Sequence, residues 1–357
     1  MNSKECTKPD IITADTTKER NRCLDFFKGI AAICVVFVHV SFPGKFGSCV
    51  TAVGSCGVML FFLISGYYAY GERDQMCSRL MKRFRRNLLI TLIAVLVYFA
   101  VSYYQHMHVD HDLRFWLRTF NSPRFYLRMI YCSDLEAITG DPLWFMFALL
   151  HAYVIFWVMY KLRLQKYAKF VMPLFILLRI ILETYKYKVN GDWRICSNVL
   201  VAAMPLMLLG FCIAEWKDKL MKVPALIYAV CGILALIILF LLIRNDHFRY
   251  NITQIFKLLV VVSAFLFAQK KPSLRLFPPL DLLGSACSLH VYLWHMPVIV
   301  MLYPVCWSRP LTTKFYDWYF PLIVAAIAIM ISILIAAVKY ITKKLLTVRK
   351  KQLVTSE

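Results

Sequence analysis

The sequence predicts an all-α, polytopic membrane protein of about ten transmembrane helices, with N- and C-termini cytoplasmic. Three observations carry that expectation. Of 357 residues, 60% are hydrophobic and the mean hydropathy is +0.61, whereas soluble domains are ~45–50% apolar. The apolar residues gather into ten runs of about 17–22 residues, the length that a ~30 Å hydrocarbon core requires. Lys and Arg fall between those runs. The segments that ten spans put on the N-terminal side hold more than twice as many as the opposite segments, as cytoplasmic loops do.

The net charge of +22 does not indicate nucleic acid as a partner. The cations form short clusters between apolar runs, not a basic strip with interleaved aromatics, and suit loops facing anionic lipid. Twelve cysteines include no CxxC pair, so neither a metal site nor a disulfide framework is read from them. Whether Cys49 and Cys56 pair is left open by the sequence.

Residues 1–22 read as a polar cytoplasmic tail without a cleavable signal peptide. Residues 23–342 form the membrane domain and residues 343–357 a basic cytoplasmic C-terminal tail. The ten spans run over 24–42, 56–72, 87–104, 143–160, 168–184, 198–214, 223–243, 252–268, 283–303 and 319–340. The basic cluster RLMKRFRRN at 79–87 follows the second span. The longest outer loop, 105–142, opens with HMHVDHD, which carries His106, His108, Asp110, His111 and Asp112. These sit on a loop without a second ligand cluster of fixed spacing, so no metal is expected. The aromatic, Arg-rich stretch at 115–129 suits an interfacial helix or a re-entrant segment. No repeat, Gly-rich phosphate loop or appended soluble unit is visible, so function must reside in the bundle and its loops.

Five features carry candidate chemistry. Within Arg22–Val40, an apolar run holds His39 near its far end and Lys28 eleven residues earlier. At 3.6 residues per turn both project from nearly one face, roughly 16 Å apart along the axis. An ionisable residue in a span is a functional candidate; the alternative is a snorkelling lysine and a histidine bonded to a neighbouring helix. Arg83 and Arg86, at i and i+3, can grip phosphates from one helix face or merely mark the inner side. GVMLFFLISGY at 57–67 offers Gly57, Ser65 and Gly66 for close helix approach, and Ser65 lacks the elbow of a nucleophile. SLHVYLWHMPV at 288–298 puts His295 before Pro297 in the ninth span, where the proline frees a carbonyl that a neighbour must satisfy. His290 sits five residues earlier, nearer the inner end. Arg179 and Glu183, at i and i+4 in the fifth span, form either a structural bridge or part of a polar cavity.

Taken in order, these segments resemble the acyltransferase-3 family of integral membrane acyltransferases. LDFFKGIAAICVVFVH keeps the family's opening motif, with Asp25 and His39 at its fourteen-residue separation. GVMLFFLISGYY matches its second span, Arg83 and Arg86 its inner-loop arginine pair, and Pro142–Leu143–Trp144 the start of a later span. The family's ninth-span motif falls on SLHVYLWHMPV, which contains His295. Lys28 stands where many members have arginine, Met59 where they have aspartate, and Leu149 and Leu150 where many carry a glutamate pair. Lys28 keeps the charge without the fork geometry of a guanidinium.

The resemblance implies an O-acyltransferase that takes an acyl group, in this family commonly acetyl, from cytoplasmic acyl-CoA to a hydroxyl of a saccharide or glycolipid at or beyond the outer face of the inner (plasma) membrane. It implies His39 as the catalytic base and Lys28, Arg83 and Arg86 as the cationic hold on the donor. Arg179, Glu183 and His295 are then candidates for the walls of the substrate cavity, and no metal is called for. A neutral imidazole is the side chain suited to take a sugar hydroxyl's proton. The alternatives are a flippase for a lipid-linked sugar, which ten spans and buried charges also suit, and a non-catalytic membrane domain that binds a glycan or small molecule.

Overall fold

The computed structural model describes residues 20–138, 142–189, 192–244, 250–307 and 313–355; nearly all of the expected N-terminal tail lies outside them. Fourteen α-helices make up the described chain. They are α1 (Arg22–His39), α2 (Gly44–Tyr67), α3 (Arg73–His108), α4 (Leu113–Thr119), α5 (Pro123–Cys132), α6 (Leu143–Lys161) and α7 (Ala168–Lys188). There follow α8 (Met204–Glu215), α9 (Lys217–Leu220), α10 (Ala225–Arg244), α11 (Tyr250–Lys270), α12 (Pro278–Leu282), α13 (Ser288–Trp307) and α14 (Thr313–Thr355). No strand occurs among the described residues. Seven helices there are long and apolar enough to cross a membrane, so the chain is an all-α multi-pass membrane protein. The other three expected spans are also helical. α1 and α7 carry more charge, and Val199–Glu215, with a π-helical first turn ahead of α8, is shorter.

Each boundary has a local cause. Asn21 caps α1 by accepting from the Leu24 amide at 2.8 Å, which satisfies a free N–H of the first turn. Ser41-Phe42-Pro43 ends α1, and Gly44, at φ +63°, turns the chain into α2. α2 begins twelve residues before the expected span. Residues 44–55 are small and weakly apolar and read as a loop, yet Gly54 packs against the Cys34 carbonyl of α1. Gly47, Ala52 and Gly54 of that stretch are buried against protein, while Gly44, Lys45, Phe46 and Ser48 are exposed. Cys49 and Cys56 therefore lie about two turns apart on one helix, too far for a disulfide, and both are free thiols.

Glycine sets the closest helix approaches. A methyl on Gly66 would overlap the Met207 backbone of α8, and one on Gly210 the Leu63 carbonyl of α2. Across the bundle, Gly284 in the π-helical segment Leu283–Cys287 sits on the Asp25 carbonyl, and Gly29 on the Leu280 carbonyl. α1 is thus held backbone to backbone against the entry to α13. Pro297 leaves the Leu293 carbonyl without its helical amide, and the Tyr98 hydroxyl of α3 donates to it at 2.7 Å. The sequence demanded a neighbour at that carbonyl; the neighbour is Tyr98. The expected outer loop holds two short helices, α4 and α5. α5 has no buried residue and exposes Tyr126, Leu127, Ile130 and Tyr131.

Candidate active site

His39 occupies the last turn of α1, half-buried, and its ring meets that of His295 from α13 at 5.1 Å between centroids. His295 is fully buried, with Nδ1 3.3 Å from the Val291 carbonyl and no hydrogen-bond partner for Nε2 among the described residues. His39, not His295, lines a cavity of about 270 Å³. Its walls include Ser55, Met59 and Phe62 of α2, Trp144 of α6, Tyr292 of α13, and polar residues of α7 and α11.

α7 contributes Arg179, Glu183 and Lys186 to that wall, a spacing that puts them on one helix face. Arg179 donates to the Val201 carbonyl at 3.0 Å and lies 3.5 Å from Glu183 Oε1; Lys186 Nζ lies 2.8 Å from Glu183 Oε2. Lys257 of α11 is buried, lines the same cavity and interacts electrostatically with Glu183. Cys196 and Ser197 close one edge. Burial, reinforced by the nearby Glu183 carboxylate, pushes the Cys196 thiol up to about 11, so it stays protonated at neutral pH and is a poor nucleophile. The sequence brought Arg179 and Glu183 forward. Lys186 and Lys257 join them in the structure; a lysine inside a span was the available signal for Lys257, and Lys186 lay just beyond its expected span.

The remaining sequence candidates gather at the opposite end of the bundle. Asp25 takes Arg20 Nε at 2.6 Å on one oxygen and Lys28 Nζ at 3.0 Å on the other. Arg20 also donates to the Asp281 carbonyl, and Asn21 to the Ala268 carbonyl of α11. Arg83 donates to the Tyr68 carbonyl at 3.0 Å, while Arg86 is exposed. Tyr153 lies in the field of both arginines with Ser65 and Asn87 as side-chain hydrogen-bond partners. Asp281 is a residue the sequence reading missed: it is buried, and neither carboxylate oxygen has a hydrogen-bond partner among the described residues. It sits in a five-residue helix just ahead of the expected ninth span, where no periodicity marks it.

Lys28, Arg83 and Arg86 do not line the His39 cavity. Phe62 and Phe145 meet at 4.5 Å and Phe145 meets Tyr292 at 5.1 Å, all three buried. The three rings make one buried aromatic cluster, two members of which, Phe62 and Tyr292, line the cavity. Elsewhere, His106 Nδ1 lies 2.6 Å from Asp112 and 3.5 Å from Asp110, and its ring stacks on Trp116. Those three residues can converge on a cation by geometry, and hydrogen bonding accounts for their approach equally well.

A family model for an acyltransferase domain matches residues 21–340. No curated protein and no solved structure matches the chain.

Proposed function

Because the chain belongs to this acyltransferase family and is a multi-pass membrane protein, we propose that it transfers an acetyl group from acyl-CoA to a hydroxyl of a cell-surface or lipid-linked saccharide. In this reading it lies in the inner (plasma) membrane with ten spans and both termini cytoplasmic. Residues 23–342 are the catalytic domain, and residues 1–22 and 343–357 its cytoplasmic tails. The donor's phosphates are held at the Lys28, Arg83 and Arg86 end, where fixed cations meet anionic oxygens. The acceptor occupies the cavity at the other end, and no metal takes part.

The observation that carries the reading is His39 facing a polar cavity with His295 behind it, at the end of the bundle away from the Asp25 cluster. His39 accepts the acceptor's hydroxyl proton as that oxygen attacks the thioester carbonyl. The tetrahedral intermediate collapses by breaking the carbon–sulfur bond. The imidazolium returns its proton to the departing thiolate, leaving an ester and free CoA. His295 is a positioning residue, packed against the His39 ring.

His39→Ala tests this. The variant should insert normally and lose on the order of 10²–10⁴-fold in CoA release and glycan acetylation, the usual contribution of a general base. Mass spectrometry of the surface glycan reads the acetyl directly, and undiminished acetylation in that variant rules out the assignment.

A further inference from the structure

A second cavity, of about 290 Å³, lies between α1, α10 and α11. Its walls include Phe27 of α1, Tyr228, Gly232 and Ile233 of α10, and Ser263 and Phe267 of α11. Phe27 precedes Lys28, so the cavity sits toward the Asp25 end of the bundle. A Cβ on Gly232 would stand 3.2 Å from that of Ser263; α10 and α11 close there, and the cavity is what their packing leaves unfilled. Its lining is apolar. The Tyr228 hydroxyl donates to the Leu220 carbonyl at 2.7 Å, and Ser263 is the one other polar side chain of the lining. A buried water needs about 2–4 polar partners, so water does not suit the space. Ile233, with Val230 and Ile237 on the same face of α10, is exposed, and the cavity therefore opens on the lipid-facing side. Left empty, such a void forfeits the dispersion contacts of its walls.

The mouth of this cavity is cationic. Tyr228 is tied to Leu220, and Lys270, about one turn beyond Phe267, donates to the Met221 carbonyl at 2.6 Å. Segments 217–222 and 270–275 thus meet where the cavity ends. Together they carry Lys217, Lys219, Lys222, Lys270, Lys271 and Arg275 with one carboxylate, Asp218, and all of those cations but Lys270 are exposed. The neighbouring Glu215 lies 3.9 Å from Lys169. We infer that the cavity holds an acyl chain of an anionic phospholipid whose phosphate lies among the lysines of these two segments. From Tyr228 to Leu236 the lining runs about 12 Å along α10, a shape for a chain rather than a ring. Basic side chains beside a membrane span attract anionic headgroups, and a lysine's flexible stem lets its ammonium follow one. The lipid is then a fixed part of the bundle, wedged between α1 and the α10–α11 pair. This inference does not depend on the acyltransferase reading.

The test is native mass spectrometry of the full-length protein, taken from nanodiscs of equal parts phosphatidylglycerol and phosphatidylcholine with matched oleoyl chains. One phosphatidylglycerol per chain should stay bound where phosphatidylcholine does not. Ala229→Phe fills the cavity from its α10 wall and should abolish that adduct. Lys222→Gln and, separately, Lys271→Gln should each weaken the apparent affinity for phosphatidylglycerol roughly fivefold. Both lysines are exposed, so these variants keep the test valid if Ala229→Phe fails to fold. Equal retention of the two lipids, an adduct that neither lysine substitution weakens, or one that persists in folded Ala229→Phe overturns the inference. So does displacement of the lipid by equimolar oleoyl-CoA in the same assay, which would make the cavity a seat for a donor's chain.

Discussion

Lys28 shares Asp25 with Arg20, so its charge is anchored at a fixed point of α1 rather than drifting on a snorkelling stem. Lys28→Arg should retain acetylation, whereas Lys28→Ala should raise the KM for acetyl-CoA with a smaller effect on kcat. Asp25→Asn, which frees the lysine without removing it, should also shift KM; initial-rate kinetics on proteoliposomes read all three. His295→Gln should lower kcat less than His39→Ala does, because it loosens the proposed base without removing it, and should leave KM for the donor unchanged. Equal losses in the two variants would make His295 a second proton carrier. His39 was legible in the sequence as an ionisable group at the end of an apolar run. Its contact with His295 was not, because two distant spans meet only through packing that no local pattern encodes. Lys257 was visible as a charge within a span, but nothing in the sequence says it shares a cavity with Arg179 and Glu183.

Two devices act at the level of the helix. Tyr98 donates to the carbonyl that Pro297 orphans, and an unsatisfied buried acceptor costs about 1–3 kcal/mol. Tyr98→Phe should therefore destabilise the protein by that order. In a Pro297→Ala background, where the helical amide returns, the same substitution should cost less, and thermal melts of the four proteins give the coupling. The backbone contact of Gly284 with Asp25 is the second device. Gly284→Ala forces α1 away from α13, with an overpacking cost of about 1–3 kcal/mol. It should also displace Lys28 and His39 together, so melting temperature and CoA release fall in the same variant. Helix identity was largely legible, because apolar length reports spans well. The early start of α2 was not, since small residues packed against α1 carry the hydropathy of a loop.

Across the whole molecule, the three least lipid-like expected spans, α1, α7 and the Val199–Glu215 segment, are among those lining the cavity. The charge and shortness that make them poor lipid-facing helices suit them to a polar interior. The proposed donor and acceptor sites at opposite ends of the bundle predict a sided reaction: sealed vesicles should consume acetyl-CoA only when it is supplied on the face bearing Arg83 and Arg86. Activity from either face would mean that one opening serves both substrates. The buried aromatic cluster of Phe62, Phe145 and Tyr292 then acquires a meaning beyond packing. A catalyst whose chemistry bridges two compartments threatens the ion gradients between them, and a buried cluster of aromatic side chains is electrical insulation. Proteoliposomes carrying the protein should hold an imposed proton gradient as well as protein-free vesicles do, and Phe62→Ala should make them leak.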